Sequence, residues 1–474
     1  MSISLEEFRF GVLPMRTRMP FRYGVTTLTA LPYLFAEARC LVDGRSQVAL
    51  AADGLAPKWF TKDPHTSIEQ DQADMLEVIH HAFTSAQQAG RCASVFELWQ
   101  ATYAGQQRWA AERGHAPLLA SFGSSLVERA AIDAWCKARA EPFADAVRRN
   151  SLGLDLGAMH ASLRGAAPAE LLPARPRDRV AVRHTVGLAD PLTDDEIPAA
   201  DRLDDGLPQS LAACLKQYGL RYLKIKIGGD AEADLDRLRR IARLLEGGGH
   251  DVAFTLDGNE QYRDVDSFRA FWQSLRDDAA LAPLMQRMIA VEQPLHRDVA
   301  LSPETARALA AWEDRPATII DESDGELDSL PRAIEAGYVG TSHKNCKGVF
   351  KGVANACLIA SLHRREPAGP WMLTGEDLCN VGPVALLQDL AVVASLGLGH
   401  VERNGHHYMR GLSMYDDNVQ RQVLDAHGDL YHRHADGYPA LHVRDGMIEL
   451  TSVLAAPFGT GVAIDVGKLE PVPA

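Results

Sequence analysis

Lys224 and Lys226 stand two residues apart in the run Arg221-Tyr222-Leu223-Lys224-Ile225-Lys226-Ile227. In a β-strand alternate side chains point to opposite faces, so both lysines share one face and Leu223, Ile225 and Ile227 cover the other. Two ammonium groups flanked by branched apolar residues are costly to bury unless an anion or a metal-bound substrate lies between them. The alternative is an edge strand with a solvated polar face. Downstream, three short apolar runs each end in a carboxylate and a turn: Val252 to Asp257, Met288 to Glu292 and Ala317 to Asp321. The spacings are 35 residues from Asp257 to Glu292 and 29 from Glu292 to Asp321. Each is close to the roughly 30 residues of one strand–helix–strand unit. Parallel strands would deliver Asp257, Glu292 and Asp321 to one end of a sheet, and in a (β/α) barrel active sites form at the C-terminal end. Oxygen ligands without thiolate or imidazole favour a hard cation, Mg²⁺ foremost and Mn²⁺ as the alternative. A lone Asp at a strand end is usually a cap or turn residue. Three in register after a Lys-x-Lys strand point instead to a metal site. A fifth segment, Tyr338 to Cys346, places Lys344 on the face of Ser342 and Gly340. In a closed barrel it would face Lys226 across the opening.

These residues need a scaffold, and the pattern supplies one. Helix-like stretches at Asp264–Leu275 and Ser302–Trp312 separate the candidate strands. The first barrel strand is expected near Val180–Gly187, and an acidic insertion, Asp190 to Gly206, is placed to overhang the site. Later strands fall at Trp371–Glu376 and His400–Glu402. Before the barrel come a β-rich start, helical patterning over Ile68–Ala89 and Leu118–Asn150, and an Ala/Pro-rich boundary from Ala166 to Pro176. The formal net charge of −14 argues against nucleic acid as a partner. Seven scattered cysteines with no Cys-x-x-Cys pair suggest reduced thiols. The acidic start Met1–Glu7 lacks a signal-peptide layout, and no apolar run approaches the roughly 18 residues of a membrane span. A cytoplasmic protein with no membrane partner is the expectation.

The order Lys-x-Lys, Asp, Glu-x-Pro, Asp-Glu-Ser, Lys resembles the enolase superfamily, specifically the muconate lactonizing-like branch of the mandelate racemase/muconate lactonizing enzyme family. That branch has a lysine after its sixth barrel strand. Met19-Pro20-Phe21-Arg22-Tyr23-Gly24 resembles the family's mobile capping loop, and Glu128 to Trp135 the helix before its barrel. Asp445–Leu450 and Pro457–Val462 resemble its C-terminal return to the cap. The resemblance implies an α/β chain, with an α+β N-terminal capping domain plus a modified TIM barrel of the (β/α)7β type. Its expected divisions are a capping domain with a helical insertion at 1–165, a catalytic barrel at 166–430 and a returning segment at 431–474. It also implies a homo-oligomer acting on a small carboxylate.

The expected chemistry is removal of the proton next to a carboxylate, made accessible by a divalent metal that neutralises the developing charge. Lys226 is assigned as base on one face, Lys344 as acid or base on the other, and Lys224 as electrostatic support for the oxyanion. Two opposed lysines suit racemisation or epimerisation. The alternatives are a dehydratase, cycloisomerase or o-succinylbenzoate synthase-like lyase using the same enolate, and a non-catalytic binding protein. Asn259 either partners the metal site or caps a turn, and Glu322 is expected beside the site. Glu376 is placed to contact substrate or Lys344. Arg22 and Tyr23 are expected to reach substrate from the cap. Lys58 and Trp59 offer a cation and an aromatic wall, or else a surface anchor. Lys347 and Lys351 are expected to be solvated, His343 to face outward, and His406 and His407 either to read the distal substrate or to be loop residues. The loop after Lys344 lacks the family's usual glycine pair, and no Asp-x-Asp follows the eighth strand, which lowers a dipeptide specificity. The substrate therefore stays unassigned.

Overall fold

The computed structural model describes residues 1–23 and 26–472. Three antiparallel strands, β1 (Ile3–Tyr23), β2 (Thr26–Val42) and β3 (Arg45–Gly54), form an N-terminal sheet. The C-terminal pair Glu470–Pro471 joins its outer edge against Gly11 and Val12. The segment expected to be a loop at Met19–Tyr23 is instead the end of β1, with Phe21, Arg22 and Tyr23 paired to Leu28, Thr27 and Thr26; Gly24 lies outside the described residues.

Three helices pack on this sheet: α1 (Ile68–Gln88), α2 (Val95–Arg113) and α3 (Pro117–Arg139). Ser67 and Ser94 cap the first two by accepting from Gln70 N and Glu97 N. Helix α3 is buried from Leu118 to Cys136, so each of its charges needs a partner. Arg129 donates to Asp53 (2.9 Å) and Ala52 O (2.8 Å), and Asp133 accepts from Leu50 N at 2.8 Å. Glu128 accepts from Val349 N (2.8 Å) and Phe350 N (2.6 Å). That carboxylate caps the helix Val349–Arg365, whose own N-cap, Gly348 at φ 115°, has no side chain to do so. α3 thereby ties the sheet to the barrel.

Eight parallel strands close into that barrel: β4 (Arg179–Val186), β5 (Tyr222–Lys226), β6 (Ala253–Asp257), β7 (Met288–Glu292), β8 (Thr318–Ile320), β9 (Gly340–His343), β10 (Met372–Gly375) and β11 (His400–Arg403). Pairing of β11 with β4 closes the ring, while Met447–Glu449 runs antiparallel beside the start of β4. A helix fills each of the seven intervals, from Leu211–Tyr218 to Ala385–Leu396. The molecule is thus an α/β chain with a (β/α)7β barrel and an α+β cap. Among the described residues no helix is long and apolar enough to cross a membrane, and all seven cysteines are buried and free.

Candidate active site

Strand register lays the chemistry out in one layer. Lys226 pairs with Asp257, and Asp257 with Glu292; Glu292 pairs with Ile319, which puts Asp321 two residues on along the same face. Gly375 pairs with both His343 and Val401, so the following residues, Lys344, Glu376 and Glu402, come together. β5 and β9 are the second and sixth strands of eight, so Lys226 and Lys344 arrive from opposite sides. The loops after β6 and β7 turn through left-handed residues, Asn259 (φ 39°), Glu260 (φ 66°) and Gln293 (φ 34°), a conformation uncommon outside glycine and held only where surroundings enforce it.

Lys224 lies deepest. Its Nζ meets Glu292 at 2.7 Å, Glu402 at 2.9 Å, and Asp257 and Glu376 at 3.0 Å. An ammonium has three protons to donate, so this lysine is saturated by carboxylates rather than free to meet an oxyanion. Burial alone would lower it, but Asp257, Glu292, Glu376 and Glu402 outweigh that and hold it well above the ordinary lysine range. Lys344 donates to Asp321 and Glu376, each at 2.6 Å, and lies 4.9 Å from the Trp59 ring centroid. It too is held well above its usual range by Asp321 and Glu376 against the pull of burial. Among the described residues the one hydrogen-bond partner of Lys226 Nζ is Asp257, at 2.5 Å.

The expected metal triad is close but not identical to the tightest oxygen set. Oxygens of Glu292, Asp321 and Glu376 all lie within 4.8 Å of one another. Asp257 is drawn aside by the two lysines of β5, and its other oxygen accepts from Asn259 N at 2.9 Å. Glu292 Oε2 is buried without any hydrogen-bond partner, and burial together with Glu376 raises this carboxyl well above its usual range. An all-oxygen set with an orphaned buried oxygen fits a hard divalent cation.

Several other expectations meet the structure directly. Asn259 donates to Glu322 at 3.2 Å; burial and the neighbouring Asp321 push that carboxyl up to about 7. Arg22 is exposed on β1 and reaches no part of the site, because alternation turns it away while Phe21 and Tyr23 point in. Tyr23 lines the cavity and donates to Pro57 O at 2.8 Å. Lys347 and Lys351 are buried, not solvated: Lys347 meets Asp321 at 2.8 Å and Lys351 meets Asp324 at 2.8 Å. Lys58 turns from the site to Asp71 and Thr66, whereas Trp59 is a wall of the cavity. His343 packs outward on Gly352. The acidic insertion clamps the cap instead of overhanging the site, with Asp205 bound to Arg18 at 2.6 Å. His406 and His407 lie off the cavity.

Sequence reasoning missed Glu402, although it ends a strand in a carboxylate as Asp257 and Glu292 do. It also missed Arg183, which points inward from β4 to Glu376 at 2.7 Å. The cavity above is tight, about 40 Å³, and its upper wall is Phe21, Tyr23, Leu28, Ala56, Trp59 and Leu378. The loop carrying Trp59 is pinned by Arg297, which donates to Phe60 O (2.7 Å), Trp59 O (2.9 Å) and Glu260 (2.7 and 2.8 Å).

A closed barrel, an antiparallel cap and a returning C-terminus together match solved structures over nearly the whole chain. The chain has the fold of muconate lactonizing enzymes, racemases and epimerases. The muconate lactonizing enzyme of Pseudomonas fluorescens is similar at a TM-score of 0.59 and 16% identity, covering 98% of this chain and 97% of that one. The N-succinyl Arg/Lys racemase of Bacillus cereus gives 0.57 and 14%, covering 96% and 98%. The dipeptide epimerase of Methylococcus capsulatus, solved with Mg and a dipeptide, gives 0.54 and 16%, covering 94% and 99%. No protein-family model and no curated protein sequence matches the chain.

Proposed function

We propose that this protein is an enzyme of the enolase superfamily that removes the proton next to a carboxylate, and that it racemises or epimerises its substrate. The observation carrying this reading is that Lys226 and Lys344 enter one cavity from opposite strands above a floor of carboxylates. Mg²⁺ would be held by Glu292 and Asp321, with Asp257 and Glu376 flanking them. Bound there, the cation would neutralise charge building on the substrate carboxylate. The chain's own residues do the rest. Lys226 and Lys344 take or return a proton on the two faces of the α-carbon, Lys224 keeps the carboxylate floor in place, and Trp59 and Tyr23 exclude water. The apolar upper wall favours a small acid with an uncharged, hydrophobic substituent.

A second reading, one-way elimination or ring closure, is favoured by the unequal company of the two lysines: two carboxylates bind Lys344 and one binds Lys226. Proton NMR of a carboxylate library in D₂O with Mg²⁺ separates the readings. Deuterium at Cα with an unchanged skeleton and inverted configuration supports racemisation, and loss of water or a new ring supports the second. Lys226→Ala and Lys344→Ala should each abolish racemisation while one-sided exchange persists. Full activity in either variant removes the assignment.

A further inference from the structure

A second group of metal-binding side chains lies behind β4, away from the cavity. His184 sits between the inward-pointing Arg183 and Thr185, so alternation turns it out of the barrel. Cys214 lies in the helix Leu211–Tyr218, and His407 in the short turn Gly405–Tyr408 after β11. A nitrogen of each imidazole and the Cys214 Sγ all lie within 4.8 Å of one another, and the three residues are buried. His407 Nδ1 is 3.6 Å from Cys214 Sγ, and His406 Nε2 is 3.3 Å from His184 Nδ1. Among the described residues these are the only side-chain hydrogen-bonding contacts of the three rings, and His406 Nδ1 is buried with no partner.

We propose that His184, Cys214 and His407 bind a zinc ion, with a water at the fourth position. Tetrahedral zinc with bonds of about 2.1 Å to nitrogen and about 2.3 Å to sulfur has N–S edges of about 3.6 Å. That is the separation found for Cys214–His407. Thiolate and imidazole select a softer ion than the oxygen floor of the barrel does. Asp190, Asp194 and Arg18 are the charged groups around the thiol. Burial pushes that thiol well up, so binding releases its proton to solvent. The ion would join β4, the helix Leu211–Tyr218 and the 405–408 turn. That turn seats the cap, since His407 O accepts from Arg18 Nη1 at 3.0 Å and Tyr408 stacks on Phe21 at 4.1 Å.

The test is metal content by mass spectrometry after dialysis against micromolar zinc and then metal-free buffer, with cobalt substitution read by absorbance. One zinc per chain is expected, with a near-ultraviolet thiolate-to-cobalt band that the oxygen floor cannot produce. Cys214→Ser should abolish the band, and His407→Gln should lower zinc content by about tenfold or more. The wild-type measurements stand even if a variant fails to fold. Wild-type protein that retains no zinc, cobalt protein without the band, or zinc retained in Cys214→Ser overturns the proposal.

Discussion

Arg297→Ala should unfasten the loop that carries Trp59. The guanidinium forms a fork on Glu260, with bonds of 2.7 and 2.8 Å, and donates to the carbonyls of Phe60 and Trp59. Removing one partner of a buried ion pair costs about 3–5 kcal/mol. Lys62, 3.1 Å from Glu260, still compensates part of the stranded charge, which favours the lower end. The two carbonyl bonds to a charged donor give a similar figure by a separate route, about 1.5 kcal/mol each. About 3 kcal/mol lost locally corresponds to roughly a hundredfold faster opening. Hydrogen exchange by mass spectrometry over residues 55–66 reads this directly, because Lys58 N donates to Asp71 at 3.1 Å only while the loop is seated. Arg297→Lys keeps the charge but not the fork, so its exchange should fall between the two. Unchanged exchange in Arg297→Ala, or acceleration spread evenly through the barrel, would refute the idea that this residue holds the loop.

Glu376→Gln takes one charge from the Glu292–Asp321–Glu376 set and should weaken Mg²⁺ binding about tenfold or more by calorimetry; an unchanged Kd would exclude Glu376 from the ligand set. Burial pushes Glu128 up to about 7 from 4.5. A carboxyl raised on folding contributes stability that is complete below the unfolded value and is lost as pH climbs through the folded one. The wild type should therefore lose about 3 kcal/mol relative to Glu128→Gln between pH 4.5 and 8, measured by urea unfolding. A pH-independent difference would contradict the burial of that charge. Trp59→Leu removes the ring over Lys344 and should raise KM for any hydrophobic acid substrate more than it lowers kcat; a pure kcat effect would place Trp59 in the chemistry instead.

Much of the barrel could be read from sequence because short apolar runs ending in carboxylates recur at unit spacing, and parallel strands buried on both faces leave such continuous runs. The arrival of Asp257, Glu292, Asp321, Lys226 and Lys344 at one end of the barrel was legible for the same reason. Glu376 was legible as a contact of Lys344, but its place in the oxygen cluster with Glu292 and Asp321 was not. That place depends on β10 lying beside β9 in register, a fact of closure rather than of local pattern. Arg22 was misread because a loop was expected where β1 continues, and in a strand its neighbours take the inward positions. Lys347 and Lys351 read as surface cations because lysine usually is. Here the turn after β9 and the following helix carry them down onto Asp321 and Asp324, whose charges repay the burial.

The choice between racemase and one-way enzyme turns on the two lysines having comparable proton affinities. In a racemase each must serve as base in one direction and as acid in the other, so a large mismatch slows one direction. Asp321 and Glu376 hold Lys344 well above the ordinary lysine range, and among the described residues Lys226 is paired with one carboxylate, Asp257. On the proposed one-way reading, Lys226, with one carboxylate partner, would serve as base and Lys344, with two, as donor or electrostatic anchor. The consequence can be measured without knowing the biological substrate. For any acid that exchanges its α-proton, Lys344→Ala should leave exchange at the Lys226 face near the wild-type rate, and Lys226→Ala should stop it. If the wild type exchanges both enantiomers at comparable rates and each variant silences one, the mismatch does not persist in the complex and racemisation stands. If Lys344→Ala still carries substrate through to product, the racemase reading fails and the one-way reaction takes its place.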